Sequence, residues 1–261
     1  MADKPTVLIT GASSGIGATY ADRFAKRGHN LVLAARSTDK LQALAARLAA
    51  GHGIEADIVK ADLTKTADIA ALEKRLTDDA SIGVLINNAG AALAGGFLSQ
   101  TSDEIDDLIR LNVISVTRLA RAAAVRFAAG GKGAIVNIAS VVGLAPEFGS
   151  SVYGATKAFV TYISQSLQTE LAASGVYVQG VLPAATRTAI WNSSGRDLDA
   201  IPGLMDVEDL VDAALVGFDR REAITIPPLP DAAQWDAYDN ARKALLPGFG
   251  NTRPAARYRA A

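Results

Sequence analysis

The stretch Thr6-Val7-Leu8-Ile9-Thr10-Gly11-Ala12-Ser13-Ser14-Gly15-Ile16-Gly17 decides how the chain is read. A β-branched apolar run passes into a glycine-rich turn, and Ile16 to Arg27 continues with helical period. Glycine allows a tight turn and a close backbone approach to a ligand. The helix that follows presents free N–H groups and a positive dipole end to a pyrophosphate. The spacing is G-x-x-x-G-x-G with no Gly-Lys-Ser/Thr after it, which argues against an NTPase phosphate loop. At a strand-to-helix junction opening a βαβ unit the pattern points to a dinucleotide site; taken alone, such a turn can also just pack helix on strand.

The rhythm continues outward. Strands are expected at Val7 to Thr10, Asn30 to Ala35, Ile54 to Lys60, Ile82 to Ile86, Ala134 to Ala139, Val176 to Leu182 and Ala223 to Ile226. They are apolar without strict alternation, as strands covered on both faces should be. Helices are expected at Ile16 to Arg27, Thr38 to Ala50, Lys65 to Thr77, Ser102 to Ala129, Ser151 to Ala173 and Val207 to Arg220, with stops at Gly28, Gly51, Gly130 and Gly175. In the fifth helix, Val152, Ala155, Phe159, Ile163 and Leu167 recur at spacings of three and four and are expected to mark its buried face. The reading is an α/β Rossmann-like, doubly wound parallel sheet of about seven strands with helices on both faces. One domain spans residues 1–261, with a substrate-lid insertion at about 186–205 and a C-terminal extension from about 228 that offers a short helix, Ala232 to Leu245.

The 261 residues carry no cysteine, two histidines and a formal net charge of −1. A thiol nucleophile and thiolate-held zinc are therefore excluded, and a His-based triad or metal site is barely available, so no metal is expected. His29 and His52 fall beside the second strand and at the end of the second helix, and are assigned to the surface. The balanced charge gives no footprint for nucleic acid or an anionic membrane. Met1 to Pro5 run straight into the first strand without the apolar stretch of a secretion signal, so a cytoplasmic protein is the expectation.

The second strand ends Leu33-Ala34-Ala35-Arg36, with alanine where a carboxylate would select NAD and arginine next to it. A guanidinium suits the 2′-phosphate of NADP(H) through charge-assisted hydrogen bonds. Asp62, after the third strand, is read either as an acceptor for the adenine amino group or as a helix cap.

Tyr153 and Lys157 lie four apart on one helix and so share a side. A phenol is a poor acid or base at neutral pH, but a neighbouring ammonium favours the phenolate. Ser140 and the run Asn87-Asn88-Ala89-Gly90 fall at the carboxyl edge of the sheet, where open α/β folds bind ligands. Asn112 interrupts an otherwise apolar helix, as a structural bridge or as part of a polar relay.

In this order and at these spacings, Thr10-Gly11-x3-Gly15-x-Gly17, Asn87 to Gly90, Asn112, Ser140, Tyr153-x3-Lys157, and Pro183 followed by Thr188 resemble the single-domain short-chain dehydrogenases/reductases over about residues 5–227. The resemblance implies NADP(H) across the carboxyl edge of the sheet. It implies a cofactor set of Gly11, Ser13, Ser14, Gly15, Ile16, Gly17, Arg36, Asp62, Leu63, Asn88, Ala89, Gly90, Tyr153, Lys157, Pro183 and Thr188. It implies that Tyr153 protonates the carbonyl oxygen while Ser140 hydrogen-bonds it. Lys157 would hold the nicotinamide ribose and lower the Tyr153 pKa, and Asn112 would keep a water on the proton path. The chain departs from the family at Ala184, where glycine is usual; a positive φ there would cost roughly 1 kcal/mol or more. It also departs at Ser14, where NADP-dependent members often carry a basic residue.

The substrate pocket should be closed by Ala91 to Leu98, Ala145 to Ser150 and Ala189 to Met205, contributing Leu93, Phe97, Phe148, Trp191, Ile201, Leu204 and Met205. With Ser140 and Tyr153, Phe148 and Trp191 form the expected substrate set, and the apolar lining favours a hydrophobic ketone or secondary alcohol. Three alternatives stand beside this: 3-oxoacyl or hydroxysteroid-type specificity, a non-catalytic NADP(H) sensor or scaffold, and a nucleotide-sugar epimerase or dehydratase, against which the length argues. A homotetramer or homodimer is expected through the helices at 102–129 and 151–173.

Overall fold

The computed structural model describes residues 4–188 and 203–259, and the chain divides into two compact units, residues 1–227 and 228–261. In the first unit, strands and helices alternate as β1 (Thr6–Thr10), α1 (Gly15–Lys26), β2 (Leu31–Ala35), α2 (Thr38–His52), β3 (Ala56–Lys60), α3 (Thr66–Asp78) and β4 (Ile82–Asn87). They continue as α4 (Ser102–Ile109), α5 (Ser115–Ala129), β5 (Gly133–Ile138), α6 (Ser151–Leu171), β6 (Val176–Val181), α7 (Val207–Asp219) and β7 (Ile224–Thr225). The strands form one parallel sheet in the order β3-β2-β1-β4-β5-β6-β7, so the order reverses between β1 and β4. That reversal is the switch point where an open α/β sheet leaves a crevice.

Two apolar layers sandwich the sheet. One joins Val7, Ile9, Leu33, Ile86 and Val136 to Tyr20, Phe24, Leu41, Leu48, Leu210 and Leu215. The other joins Leu8, Val32, Leu85, Ile135 and Val178 to Ile69, Leu72, Leu76, Leu119 and Phe127. Burying a Leu, Ile or Phe side chain contributes roughly 1.5–3 kcal/mol, and successive residues of each strand serve opposite layers. The second unit contains α8 (Ala232–Lys243), capped by the Asp231 carboxylate and buried at none of its residues. No helix among the described residues is long and apolar enough to cross a membrane.

Several expectations need correction. Gly51 does not stop α2, which runs one residue further and ends on Gly53 at φ +66°. The helix expected at 102–129 is broken by a π-helical turn, Arg110–Ile114, with Asn112 inside it. His29 is not a surface residue: it is half-buried, its Nδ1 lies 2.8 Å from the Pro5 carbonyl, and its ring packs edge-on to Phe24. The largest difference concerns α6. Ala155 and Phe159 are exposed, and the buried face is instead Thr156, Lys157, Val160, Thr161 and Ser164. Hydrogen bonds set that face: Asn137 Nδ2 on β5 donates to Ser164 Oγ at 3.0 Å and Lys157 Nζ donates to the Ile138 carbonyl at 2.8 Å.

Gly17 is the tightest seam between α1 and the sheet edge. A Cβ there would lie 2.4 Å from the Gly11 carbonyl oxygen and 2.5 Å from Asn88 Nδ2. Gly17→Ala is therefore expected to cost roughly 2 kcal/mol or more, read as a lowered thermal or denaturant midpoint, whereas Gly53→Asn at the exposed end of α2 should cost little.

Candidate active site

The residues after β1, β2, β3 and β4 line a cavity of about 660 Å³. The β1–α1 turn is held open by its glycines. Gly11 takes φ +65°, and a Cβ there would meet Asn88 Nδ2 at 2.8 Å and the Ala89 Cα at 2.9 Å. Thr10 clasps the turn to the segment after β4: its hydroxyl accepts from the Asn88 and Ala89 N–H groups, each at 3.0 Å. Asn88 Nδ2 donates in return to the Thr10 and Gly11 carbonyls at 2.9 and 3.2 Å. Ser14 makes no side-chain cap, and α1 has no acid in its first turn, so the positive end of this helix is left for an anion.

Arg36 is exposed on the cavity wall, and Asp62 and Leu63 line it too. Asp62 Oδ1 accepts from Thr64 N at 3.0 Å and Thr64 Oγ1 at 2.9 Å, which makes a local turn. The N-cap of α3 is Lys65, so the cap reading of Asp62 does not hold. Burial pushes the Asp62 carboxyl up, but the Thr64 hydrogen bonds and the nearby Arg36 charge outweigh it, and its pKa is lowered.

At the far side of Gly90 the polar groups of β5, α6 and the π-turn converge. Ser140, just past β5, accepts from Val142 N at 3.2 Å and donates to the Pro183 carbonyl at 3.3 Å. The Ser140 hydroxyl lies near enough to the Tyr153 phenol to stabilise its ionised form. One helical turn on, Lys157 is buried, with Nζ 5.8 Å from the centre of the Tyr153 ring. Asn112 is clamped by Ala91: Oδ1 accepts from its N–H at 3.0 Å and Nδ2 donates to its carbonyl at 2.9 Å. Gly90 has no positive φ among the described glycines, but a Cβ on it would sit 3.3 Å from Asn112 Oδ1 and 3.4 Å from Lys157 Nζ. Its missing side chain therefore leaves a gap bordered by these two polar atoms.

The electrostatics differ from the expectation drawn from the Tyr/Lys spacing. Burial dominates at Tyr153 and raises its pKa, with the Ser140 hydroxyl acting in the opposite direction. Burial also lowers the Lys157 pKa, to about 8. At neutral pH this leaves a protonated phenol beside a buried ammonium.

Of the expected cofactor set, Gly11, Ser13, Ser14, Gly15, Ile16, Arg36, Asp62, Leu63, Asn88, Ala89, Gly90 and Thr188 line the cavity. Gly17 packs inside the seam described above, and Pro183 binds Ser140 and Val141 through its carbonyl. Ala184 is not at positive φ, because Arg221 is the only described non-glycine residue there, so no strain arises at that departure. Thr188 keeps its place at the rim, its methyl carbon 3.3 Å from where a Gly15 Cβ would stand. Of the expected pocket walls, Leu93 lines the cavity, Phe148 is 62 % exposed, and Met205 packs against the core instead. Trp191, Ile201 and most of the 186–205 insertion lie outside the described residues. The sequence reading missed Ser37, Glu104 and Leu111 on the cavity wall and Thr156 behind it, and it quoted Thr10 in the glycine motif without giving it the role of clasp.

Residues 5–199 match the family model described as short chain dehydrogenase, and the chain belongs to that family. A short-chain dehydrogenase from Sphingobium yanoikuyae, solved in complex with NADPH, is 62% identical with a TM-score of 0.96, over 98% of this chain and 100% of that one. The bulky-bulky ketone specific alcohol dehydrogenase from Comamonas testosteroni is 53% identical with a TM-score of 0.92, over 98% of this chain and 99% of that one. The very-long-chain 3-oxoacyl-CoA reductase of Anas platyrhynchos is 33% identical over 196 residues, which are 74% of this chain and 63% of that protein. The matched stretch spans about three fifths of the length of such curated relatives.

The buried ammonium has a measurable cost. The unfolded chain holds this proton up to a pKa of about 10.4, whereas the folded site releases it near 8. Below pH 8 both states are protonated and the full burial penalty applies; stability then rises with pH between the two values. Lys157→Met is expected to raise the unfolding free energy at pH 7 by roughly 1–3 kcal/mol. That gain should shrink as pH climbs from 8 toward 10.4, as followed by denaturant melts across the range.

Proposed function

We propose that the chain catalyses the NADP(H)-dependent interconversion of hydrophobic ketones and secondary alcohols. The observation that carries this reading is that Ser140, Tyr153 and the buried Lys157 lie together behind Gly90, which itself lines the glycine-walled cavity. A dinucleotide fits the cavity chemically: an uncapped helix N-terminus for pyrophosphate, Arg36 for a 2′-phosphate, and Asp62 and Leu63 beside it for adenine. When bound, NADP(H) supplies or accepts the hydride.

The chain's own residues do the rest. Tyr153 donates a proton to the carbonyl oxygen, and Ser140 holds that oxygen by its hydroxyl. Lys157 fixes the ribose and carries the replacement proton, and Asn112 borders the gap through which that proton arrives. Apolar walls such as Leu93 favour a hydrophobic substrate, with Phe148 and Trp191 as the proposed outer contacts. The NADPH complex of the one similar structure and the bulky-bulky ketone specificity of the other support this reading. A second specificity, for 3-oxoacyl or hydroxysteroid substrates, is supported by the 33% identical 3-oxoacyl-CoA reductase. The exposed apolar groups Val125, Phe159 and Tyr162 on α5 and α6 support assembly as a homo-oligomer through these helices.

Purified protein should oxidise NADPH, followed by absorbance, in the presence of bulky hydrophobic ketones. Tyr153→Phe should lower turnover by roughly a hundredfold or more while cofactor binding persists. Arg36→Ala should narrow the preference for NADPH over NADH by about tenfold, the scale of a charge-assisted hydrogen bond. Equal use of both cofactors by the wild type would remove the 2′-phosphate assignment.

A further inference from the structure

We propose that the tail beyond α8 docks, in a second copy of the chain, on the face formed by Phe97, Leu98 and the outer side of α4. This contact needs no part of the catalytic reading. The net charge of −1 conceals a division: residues 240–261 hold Arg242, Lys243, Arg253, Arg257 and Arg259 and no acid, so the rest of the chain is net acidic. Arg242 and Lys243 are paired with Asp239. Arg253, Arg257 and Arg259 form no ion pair among the described residues, and the Arg257 guanidinium lies 4.8 Å from the centre of the Tyr258 ring. Leu245, Leu246, Phe249 and Tyr258 stand exposed among these charges, and no described residue from 228 onward is buried. Apolar groups gathered in this way mark an interaction surface.

The chain carries the complement of that tail in its first unit. Asp103, Asp106 and Asp107 recur at spacings of three and four on α4, so they share one side of the helix, and all three are exposed. They too form no ion pair among the described residues. Just before the helix, Phe97 and Leu98 project from a short turn, Phe97–Ser99, with Leu98 99 % exposed. Three unpaired guanidiniums beside apolar groups thus match three unpaired carboxylates beside apolar groups. Exposed ion pairs contribute little singly, so burial of the apolar groups supplies the affinity and the charges select the face. Every copy holds both tail and face. A two-fold axis therefore forms the contact twice at once and closes the assembly as a pair. The first turn of α4 also sends Glu104 to the cavity wall, so a docked tail lies against the outside of the second copy's cavity.

Two variants of the full chain test this. Arg253→Glu with Arg257→Glu and Arg259→Glu reverses the tail, and Asp106→Lys with Asp107→Lys reverses the face while leaving the Thr101 cap of α4 intact. Each is expected to lower the mass seen by light scattering at micromolar concentration about twofold, contacts elsewhere being untouched. Mixing the two variants should restore the wild-type mass, because in a mixed pair each tail meets a face of opposite charge. All five positions are exposed, so thermal midpoints should match the wild type. Leu98→Ser, which removes only apolar contact, should weaken the pair likewise and serves where a charge variant folds poorly. A monomeric wild type, a reversed variant of unchanged mass, or a mixture that stays dissociated overturns the proposal, the last by placing the tail on its own chain. A tail-reversed variant of unchanged mass that no longer sediments with equimolar phosphatidylglycerol and phosphatidylcholine vesicles, where the wild type does, overturns it in favour of an anionic lipid surface.

Discussion

A helix that turns Thr156, Lys157, Thr161 and Ser164 inward must find a partner for every one of those groups, and this constraint seats α6 on the sheet. Thr161 and Ser164 are satisfied by the preceding turn, at the Lys157 and Val160 carbonyls. Ser164 also accepts from Asn137, which accepts in turn from Asn87 at 3.0 Å, so a polar thread runs from β4 through β5 to α6. Lys157 is fixed at Ile138 and Thr156 at Asn112. A shift of α6 by one residue would break all of these at once, and an unsatisfied buried polar group costs about 1–3 kcal/mol. The cost of misplacement thus holds Tyr153 over the end of β5, and the proposed chemistry inherits its precision from the packing.

The same constraint explains where sequence reasoning succeeds and fails. The strands and the glycine turn are legible because apolar runs and positive-φ glycines have few other uses: β1 through β6 fall within two residues of their expected bounds. The buried face of α6 is not legible, because periodicity assigns the interior to the apolar stripe through Ala155 and Phe159, and here the interior is polar. Residue type alone does not reveal that Asn137 and Ile138 wait opposite Ser164 and Lys157. The π-turn around Asn112 escapes for a similar reason. Its cause is the Ala91 and Thr156 partners of a single amide, brought from residues 21 and 44 positions away. Ala184 shows the converse, where a rule about glycine carried over from a family overstated the demand that this backbone makes.

Function and stability pull against each other at this corner. Lys157 is charged and buried at neutral pH, and its Nζ donates to the Ile138 carbonyl without a carboxylate partner to offset its desolvation. Those losses are carried by the two apolar layers, in which Leu8, Ile9, Leu33, Ile69, Leu72 and Leu76 are fully enclosed. The glycines at 11, 15 and 17 add conformational entropy to the unfolded chain for the sake of backbone clearance. A site placed at the carboxyl edge of a deeply packed parallel sheet can tolerate such costs locally.

The two parts of the site are built on different principles. Around Tyr153, burial sets the protonation states: the phenol is held neutral and the ammonium is brought within reach of physiological pH. At the Arg36 end, the guanidinium is exposed, and the Asp62 charge beside it is already ionised and turned to Thr64. Water screens an exposed charge, so on the proposed reading Arg36 would favour a 2′-phosphate only modestly, and Asp62 would offset part of that. On the proposed reading, the chemistry is therefore the demanding end and cofactor choice the lenient one. In a chain with no cysteine and two histidines, desolvation brings the Lys157 amine toward neutral pH, while the same burial keeps the Tyr153 phenol protonated.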